Sequence, residues 1–409
     1  MPFPYTFTFP FENWEPVVMR CRIAFDTDPF ATTPTWTDID SDLLFFSMKK
    51  GRKHQLDRME AATAVLILNN ADSNYWPNNT GGDYSPNVLP AKRVNIRASF
   101  NFITYDVFTG FIESWVPSWR GGTGSTAGPI MTVKCAGVTK NLSRLWLNNA
   151  GESQELSGTR VGNVLDELSW PAADRDLDAG QSTLIATGSQ VNVNSLAHLQ
   201  TVQTTEQGII FQAGDGDVQF QDRHARFKSP FTVSQATFGD DGGENKYFDI
   251  ELSLDDETIF NDVRITRSGG TEQVASDATS QGDFGKRSLV RTALLMTSDN
   301  EALDQANYIL TNNKDPILRA KSIDIKPRRD PDNLWPFIFT FDISTRITVR
   351  LNQASIDKDY HIEGITHTYD AGVRDWTTRW QLSDADTVSY WLLGTAGFGE
   401  IGQTTILGY

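Results

Sequence analysis

The sequence predicts a mainly β protein with a few short helices, an α+β chain carrying two barrel-like sheet units and smaller peripheral ones. Three observations lead there. The 24 Phe, 11 Trp and 10 Tyr suit strands, and 31 Gly suit turns. Alternation of apolar and polar residues recurs near both ends, between Val17 and Trp115 and between Ala320 and Leu382. Helical periodicity is confined to two short stretches.

The first strand runs from Val17 to Phe25, with Met19, Cys21, Ile23 and Phe25 on one side. Leu43 to Ser47 follows Trp36-Thr37-Asp38-Ile39, turns around Lys49-Lys50-Gly51-Arg52, and returns as Ala61 to Leu68. Asn69-Asn70-Ala71-Asp72 stops that strand, and a loop rich in Pro, Asn and Gly covers Ser73 to Pro90. Val94, Ile96, Ala98, Phe100 and Phe102 then alternate with polar residues as a half-buried strand. Phe108 to Ile112 and Trp115 continue the sheet. Arg120 to Pro129 is Gly-rich but lacks the Gly-Lys-Ser/Thr ending of a phosphate loop, and a strand pattern follows it. It reads as a hairpin loop or a domain joint.

A helix is expected over Gly158 to Trp170, with Val161, Val164, Leu165 and Leu168 on one face and Pro171 ending it. A second is expected over Asp299 to Asn312. Ser298 and Glu301 form a capping box there, and Leu303, Ala306 and Leu310 form the stripe. Between them, Leu184 to Asp283 is mixed and turn-rich. Strands resume at Ala320 to Lys326, at Phe337, Phe339, Phe341 and Ile343, at Ile347 to Leu351, at Tyr360 to Tyr369, and at Trp376 to Leu382. No Lys or Arg occurs from Trp380 onward. The Gly- and aromatic-rich stretch from Tyr390 to Tyr409 is expected to dock on a neighbouring molecule.

Bulk properties narrow the function. At 409 residues the chain suits two to four domains. A net charge of -16 argues against gripping nucleic acid through its phosphates. No apolar run approaches a membrane span, and Met1-Pro2-Phe3-Pro4 does not open a secretory signal. Cys21 and Cys135 lie in alternating strand patterns and read as buried free thiols of a protein folded in a reducing cytosol.

In this setting the chain resembles the minor tail or baseplate hub proteins of long-tailed bacteriophages, especially the siphophage type. The resemblance rests on ordered phrases that run nearly end to end. They begin with Trp36 to Ile39, Lys50-Gly51-Arg52, Ala64 to Asn70 with Asp72 and Pro77-Asn78, Arg93 to Phe102, and Phe108-Thr109-Gly110. Val161 to Pro171, Asp178-Ala179-Gly180, Gly208 to Phe211, Asp215-Gly216, Phe220 and Arg223 follow. Asn261-Asp262-Val263, Asp277 to Ser280, Phe284-Gly285, Arg287, Tyr360, Ile362 to Ile365, His367 and Trp376 come next. Trp391 to Gly394 and Thr404 to Leu407 close the series.

The resemblance implies a homotrimeric, pseudo-sixfold ring at the tail tip that closes the tail tube and connects it to the host-recognition apparatus. DNA would pass through its channel without specific binding during ejection. The partners implied are other tail proteins: the distal tail ring, the tape measure, and a tail fibre or spike. The place implied is the virion, after assembly in the host cytoplasm. Three copies would carry a charge of -48, and an acidic lumen would repel DNA. The implied domains are 1–155, an N-terminal barrel-like hub domain; 156–230, a small helix-containing peripheral domain; 231–297, a β-rich segment joining the hub; 298–388, a helix with a C-terminal barrel-like domain; and 389–409, an extended tail. Nothing long follows Tyr409, so a lysozyme, peptidase or receptor-binding extension is not expected.

The residues offer little else to chemistry. His361, Glu363 and His367 share strand parity, but a metal needs converging ligands, and two hydrogen-bonded histidines are the simpler reading. His54, His198 and His224 lack a triad context. Asp240 to Asn245 has oxygen ligands without EF-hand spacing, and Asp255-Asp256-Glu257 are adjacent on a turn rather than facing across a cleft. From Ala213 to Glu257 eleven acidic residues meet four basic ones, which makes an acidic wall or an exposed face. Lys326-Pro327-Arg328-Arg329 is a small basic patch suited to an acidic neighbour in a ring. No catalytic, cofactor-binding or metal residue is assigned, no cofactor is expected, and the protein is read as a non-enzyme. The alternative is a multi-domain β carbohydrate-binding module for a host receptor, with exposed Trp76, Trp115 and Trp119 stacking on sugars.

Overall fold

Alternating segments from both ends of the chain enter one sheet in the computed structural model, which describes residues 17–119, 128–385, 389–390 and 405–406. The N-terminal part supplies β1 (Val18–Ala24), β2 (Thr37–Asp38), β3 (Leu43–Gly51), β4 (Glu60–Asn69), β5 (Arg93–Phe100), β6 (Ile103–Ser118) and β7 (Ile130–Ala136). They lie in the order β3-β4-β7-β6-β5-β1-β2, every pair antiparallel. The C-terminal part continues beyond β3 with Ile356–Asp370, then Asp375–Asp384, Arg319–Ile325 and Asp249–Ser253. Arg346–Leu351 pairs with Ile356–Asp370, and Thr237–Phe238 joins Arg346–Leu351 in parallel. The mainly β reading holds. The two terminal regions are flanks of one thirteen-stranded sheet, which closes into no barrel among the described residues.

One face of this sheet builds the main core. Cys21, Ile23, Phe46, Leu66, Ile96 and Val133 from the N-terminal flank join Ile323, Tyr360, Trp376 and Trp380 from the C-terminal flank in a single cluster. Each large apolar side chain buried in this way contributes roughly 1.5–3 kcal/mol. Cys21 and Cys135 are both buried and free, and burial pushes both thiols up, out of reach of ionisation.

Several local expectations change. The strand ending in Phe102 stops at Phe100. Asn101 and Phe102 form a left-handed turn (φ 48° and 63°), which puts Phe102 in solvent. The alternating aromatics at Phe337, Phe339 and Phe341 belong not to a strand but to a helix, Pro331–Thr340, and its end. Pro331 opens that helix, and Leu334, Trp335 and Ile338 are its buried side, a helical rather than a two-residue spacing. Phe339 stacks on Trp335 at 5.3 Å and on Tyr105 of β6 at 5.2 Å. The Gly-rich loop 120–127 lies outside the described residues, and the strands on either side of it, β6 and β7, pair as a hairpin. The tail from Tyr390 also lies outside them, apart from Tyr390 itself and the pair Thr405–Ile406.

Two smaller units pack on the sheet. One holds helices Ser157–Glu167 and Ser195–Glu206 against the hairpin Ile209–Gln212 and Val218–Gln221, with Val161, Val164, Leu165, Leu199 and Phe220 in its core. The other lays helix Asp299–Asn313 on a three-stranded sheet, Gln273–Ser276, Asp262–Arg267 and Ser288–Leu294. The stripe of that helix is turned from expectation: Ala302, Ala306 and Ile309 are buried, and Leu303 and Leu310 are half-buried.

Candidate functional site: two buried ionic joints and the cleft between the units

Gly51 ends β3 at a φ of 90°, directly opposite Gly364. A Cβ on Gly51 would lie 2.3 Å from the Glu363 carbonyl oxygen, and one on Gly364 would lie 2.6 Å from the Arg52 carbonyl oxygen. Only two glycines let the strands cross this closely. A bulge between Ile362 and Gly364 leaves Glu363 as an extra residue. It also reverses which side faces the core: Tyr360 and Ile362 before it, Ile365 after it. His367 follows Ile365 into the core and packs on Trp376, 5.3 Å between ring centres. His361 lies on the other face, where its Nδ1–H donates to the Ser344 carbonyl at 2.9 Å. The shared parity of His361, Glu363 and His367 therefore does not survive folding, and the three do not converge. Among the described residues no group of three His, Cys, Asp or Glu is placed to hold a metal.

Glu363 is fully buried and forms the first joint. Arg52 Nε donates to one carboxylate oxygen at 2.7 Å and Arg226 Nη1 to the other at 2.5 Å. Arg52 follows β3, and Arg226 sits in the turn after the Val218–Gln221 strand. The joint therefore ties both flanks of the sheet to the helical unit. Burial alone would raise the Glu363 carboxyl, but the charges and hydrogen bonds of Arg226 and Arg52 outweigh it and hold the group at about 2. Arg226 also donates to Ser344 Oγ, while its Nη2 is buried without a partner.

Glu206, at the end of helix Ser195–Glu206, is the centre of the second joint and is also fully buried. It accepts from the Ser157 hydroxyl at 2.6 Å, the backbone N–H of Ser182 at 2.7 Å and of Gln181 at 3.1 Å, and Arg223 Nε at 3.3 Å. Arg223 Nη2 reaches Glu301 at 2.8 Å, and the Ser182 hydroxyl donates to the same Glu301 oxygen at 2.6 Å. Ser298 does cap helix Asp299–Asn313, accepting from the Asn300 N–H. Glu301 does not complete the expected capping box, because its carboxylate is engaged in this joint.

A cleft of about 370 Å³ opens between the sheet and the two smaller units, with Arg52, Arg226, Arg223 and His361 in its wall. The remaining candidate groups are held by protein partners. Asp240 and Asp241 accept from Asn352, and Glu244 pairs with Arg350. Asp255, Asp256 and Glu257 pair with Arg319, Arg287 and Lys321. Lys326 and Arg329 sit over the Phe248 ring at 4.7 and 4.6 Å, and Lys326 also meets Asp375. Of the proposed sugar-stacking residues, Trp115 is stacked with Phe25 and Tyr75 and donates to the Leu89 carbonyl. Trp76 is half-buried and meets Trp119 edge-on, and only Trp119 is exposed. Four acids, Asp174, Asp176, Asp215 and Asp217, do gather. Burial first, then Asp215, pushes Asp217 up to about 6.

Sequence reasoning singled out Gly51, Arg52, Glu363, Gly364 and Arg223 as parts of a resemblance, without their contacts. It missed Arg226, Glu206 and the use of Glu301. The available signal was the crowding of Arg223, Arg226 and Lys228 within an otherwise acidic stretch.

No family model and no curated protein sequence matches the chain. Solved structures do. The tail protein from Neisseria meningitidis MC58 superposes with a TM-score of 0.57 at 10% identity, covering 90% of this chain and 97% of that one. The 43 kDa tail protein of prophage MuSo2 from Shewanella oneidensis gives 0.55 at 12%, with the same coverage. A chain of the lidless PdpA-VgrG complex gives 0.50 at 10%, over 90% of this chain and 64% of that one. At such identities the likeness is one of fold, and that fold extends over nearly the whole chain.

Proposed function

We propose that the protein is a structural component of a bacteriophage tail: a hub subunit whose copies assemble as a trimer around the tail channel. The observation that carries this reading is the fold likeness to two tail proteins over nine-tenths of this chain and nearly all of each of theirs. The open sheet supports it, since among the described residues its outer strand Asp249–Ser253 is paired on one side only, an edge of the kind that takes a neighbouring strand. The net charge of -16 suits a wall along which DNA slides without sticking. In this reading the ring joins other tail proteins, resides in the virion and catalyses nothing. The two most buried carboxylates support the last point, because Glu363 and Glu206 are fully engaged by arginines, serines and backbone N–H groups. No helix among the described residues is long and apolar enough to cross a membrane.

Mass photometry with particle imaging tests the reading. The expected species is a threefold ring of about 137 kDa, three times the 45.6 kDa chain. A monomer at every concentration would overturn it. Peptidoglycan turnover by the pure protein, lost on changing one Asp or Glu, would overturn the non-enzymatic part.

A further inference from the structure

We infer that neighbouring copies close on one another through two apolar patches that stand at the same end of the large sheet, one on each of its edges. The inference rests on the ring reading and names the surfaces that make the ring. The first patch is Val18, Phe102 and Ile103, exposed by 47%, 92% and 55%. Phe102 and Ile103 lie at the tip of the β5–β6 hairpin, and Val18 of β1 pairs with Ser99 beside it. Phe102 keeps a left-handed φ of 63°, which a bulky residue seldom adopts, and so holds its ring out in solvent. The second patch is Leu254, Ile317 and Leu318, exposed by 65%, 43% and 41%. It flanks Ser253 and Arg319, the last pair between the strands Asp249–Ser253 and Arg319–Ile325. Apolar side chains gathered in this way mark a surface that another molecule covers.

A second copy is the occupant because strand direction brings the two patches together. From Asp249–Ser253 across to β1 the sheet has ten strands, and all nine pairings are antiparallel. The two outer strands therefore run in opposite directions. Ser253, which ends one, stands at the same end of the sheet as Val18, which begins the other. Phe100 and Ile103 close their hairpin at that end too. Strands wound round a channel share one tilt to its axis, so both patches come at one height of the ring. Rotation about that axis sets the β1 edge of one copy against the Asp249–Ser253 edge of the next, antiparallel like the rest of the sheet. Among the described residues both edges are open there: β2 covers β1 only at Arg22 and Ile23, and Asp249–Ser253 has a strand on one side alone. Arg20, which meets Asp40 at 3.6 Å, and Glu251 are exposed on the facing edges and opposite in sign. The contact is head to tail, so three copies close with no patch left over.

Sedimentation velocity of the full-length protein over a concentration series tests it. Phe102→Asp and Leu254→Asp should each raise the dissociation constant of the ring by about tenfold or more, with the far-UV circular dichroism unchanged. Val191→Asp is the control: Val191, exposed by 64% on the strand Gln190–Asn194, lies outside both patches, and the ring should persist. Mixing the Phe102→Asp and Leu254→Asp chains should give a dimer of about 91 kDa, twice the 45.6 kDa chain, that neither forms alone. Each chain there supplies the patch that the other lacks. Rings that persist in both variants overturn the inference and leave the ring reading intact, whereas a wild-type chain that never forms a ring overturns that reading and the inference with it. An equal loss with Val191→Asp, or a mixture without the dimer, overturns the inference as well. If Leu254→Asp does not fold, Leu318→Asp takes its place with the same expectations.

Discussion

The two joints solve one problem, a carboxylate fully removed from water, with opposite chemistry. Glu363 is neutralised by charge, a guanidinium on each oxygen. Glu206 is satisfied mainly by neutral donors, a hydroxyl and three backbone N–H groups, with a single arginine side chain that is shared with Glu301. Neutral donors lose modestly when their acceptor goes, whereas buried cations stranded without an anion lose heavily. The first joint is therefore the less replaceable one, and it lies where the two flanks of the sheet meet.

The largest effect tests that difference directly. Glu363→Gln keeps the shape but leaves Arg52 and Arg226 buried against a neutral amide. A loss of about 3–5 kcal/mol is expected in denaturant unfolding. Pairing it with Arg226→Met should restore part of the loss, giving a clear coupling energy in the double-mutant cycle. Glu206→Gln should cost less, about 1–3 kcal/mol, because Arg223 retains Glu301 and the amide oxygen still accepts from Ser157 or Ser182. Equal losses for the two substitutions would break the comparison.

Acid separates the groups around the first joint. Burial, then the charge of Arg226, lowers His361 from its ordinary 6.5 to about 3. Below pH 6.5 the unfolded chain binds a proton there that the folded chain does not. The stabilisation is thus full above pH 6.5 and fades as pH falls toward 3. Glu363 follows the same sign lower down: its contribution is complete above its ordinary 4.5 and is lost as pH falls toward about 2. Between pH 6.5 and 4.5 the histidine acts without the carboxylate. Thermal unfolding at pH 7.5 and 5.5 should show a fall of roughly 1 kcal/mol per buried histidine. His361→Asn should remove its share of that fall and leave the steeper drop below pH 4.5 in place.

Legibility in the sequence followed the range of the forces. β5 was readable because alternation of Val94, Ile96 and Ala98 with Asn95, Arg97 and Ser99 is a local record of one buried face, and β3 and β4 because short apolar runs are bounded by the turn residues around Gly51 and by Asn69-Asn70. Helix Ser195–Glu206 was not, since its buried side sets only Leu199 and Val202 among Ser195, His198, Gln203, Thr205 and Glu206, polar residues that look solvated until their partners are known. Helix Pro331–Thr340 was misread because every second residue near its end is aromatic, a pattern that satisfies a strand and a helix lying on a sheet equally well. The bulge at Glu363 could not be read either. Its cause is the close crossing of Gly51 and Gly364, 313 positions apart.

The smallest expected effect isolates burial from mere charge pairing. Lys49 on β3 meets Glu60 of β4 at 2.7 Å, as close as the Arg52–Glu363 pair of the first joint and closer than either ion pair of the second. Both side chains are about half or more exposed, at 47% and 63%. Water already solvates each ion there, salt screens the pair, and holding two long side chains together costs entropy. Lys49→Ala should therefore change stability by about 0–1 kcal/mol, and the change should vanish in half-molar salt, while the Glu363→Gln loss should persist there. If Lys49→Ala proved as damaging as Glu363→Gln, the strength of the joint would lie in the number of charges along β3 rather than in their removal from water.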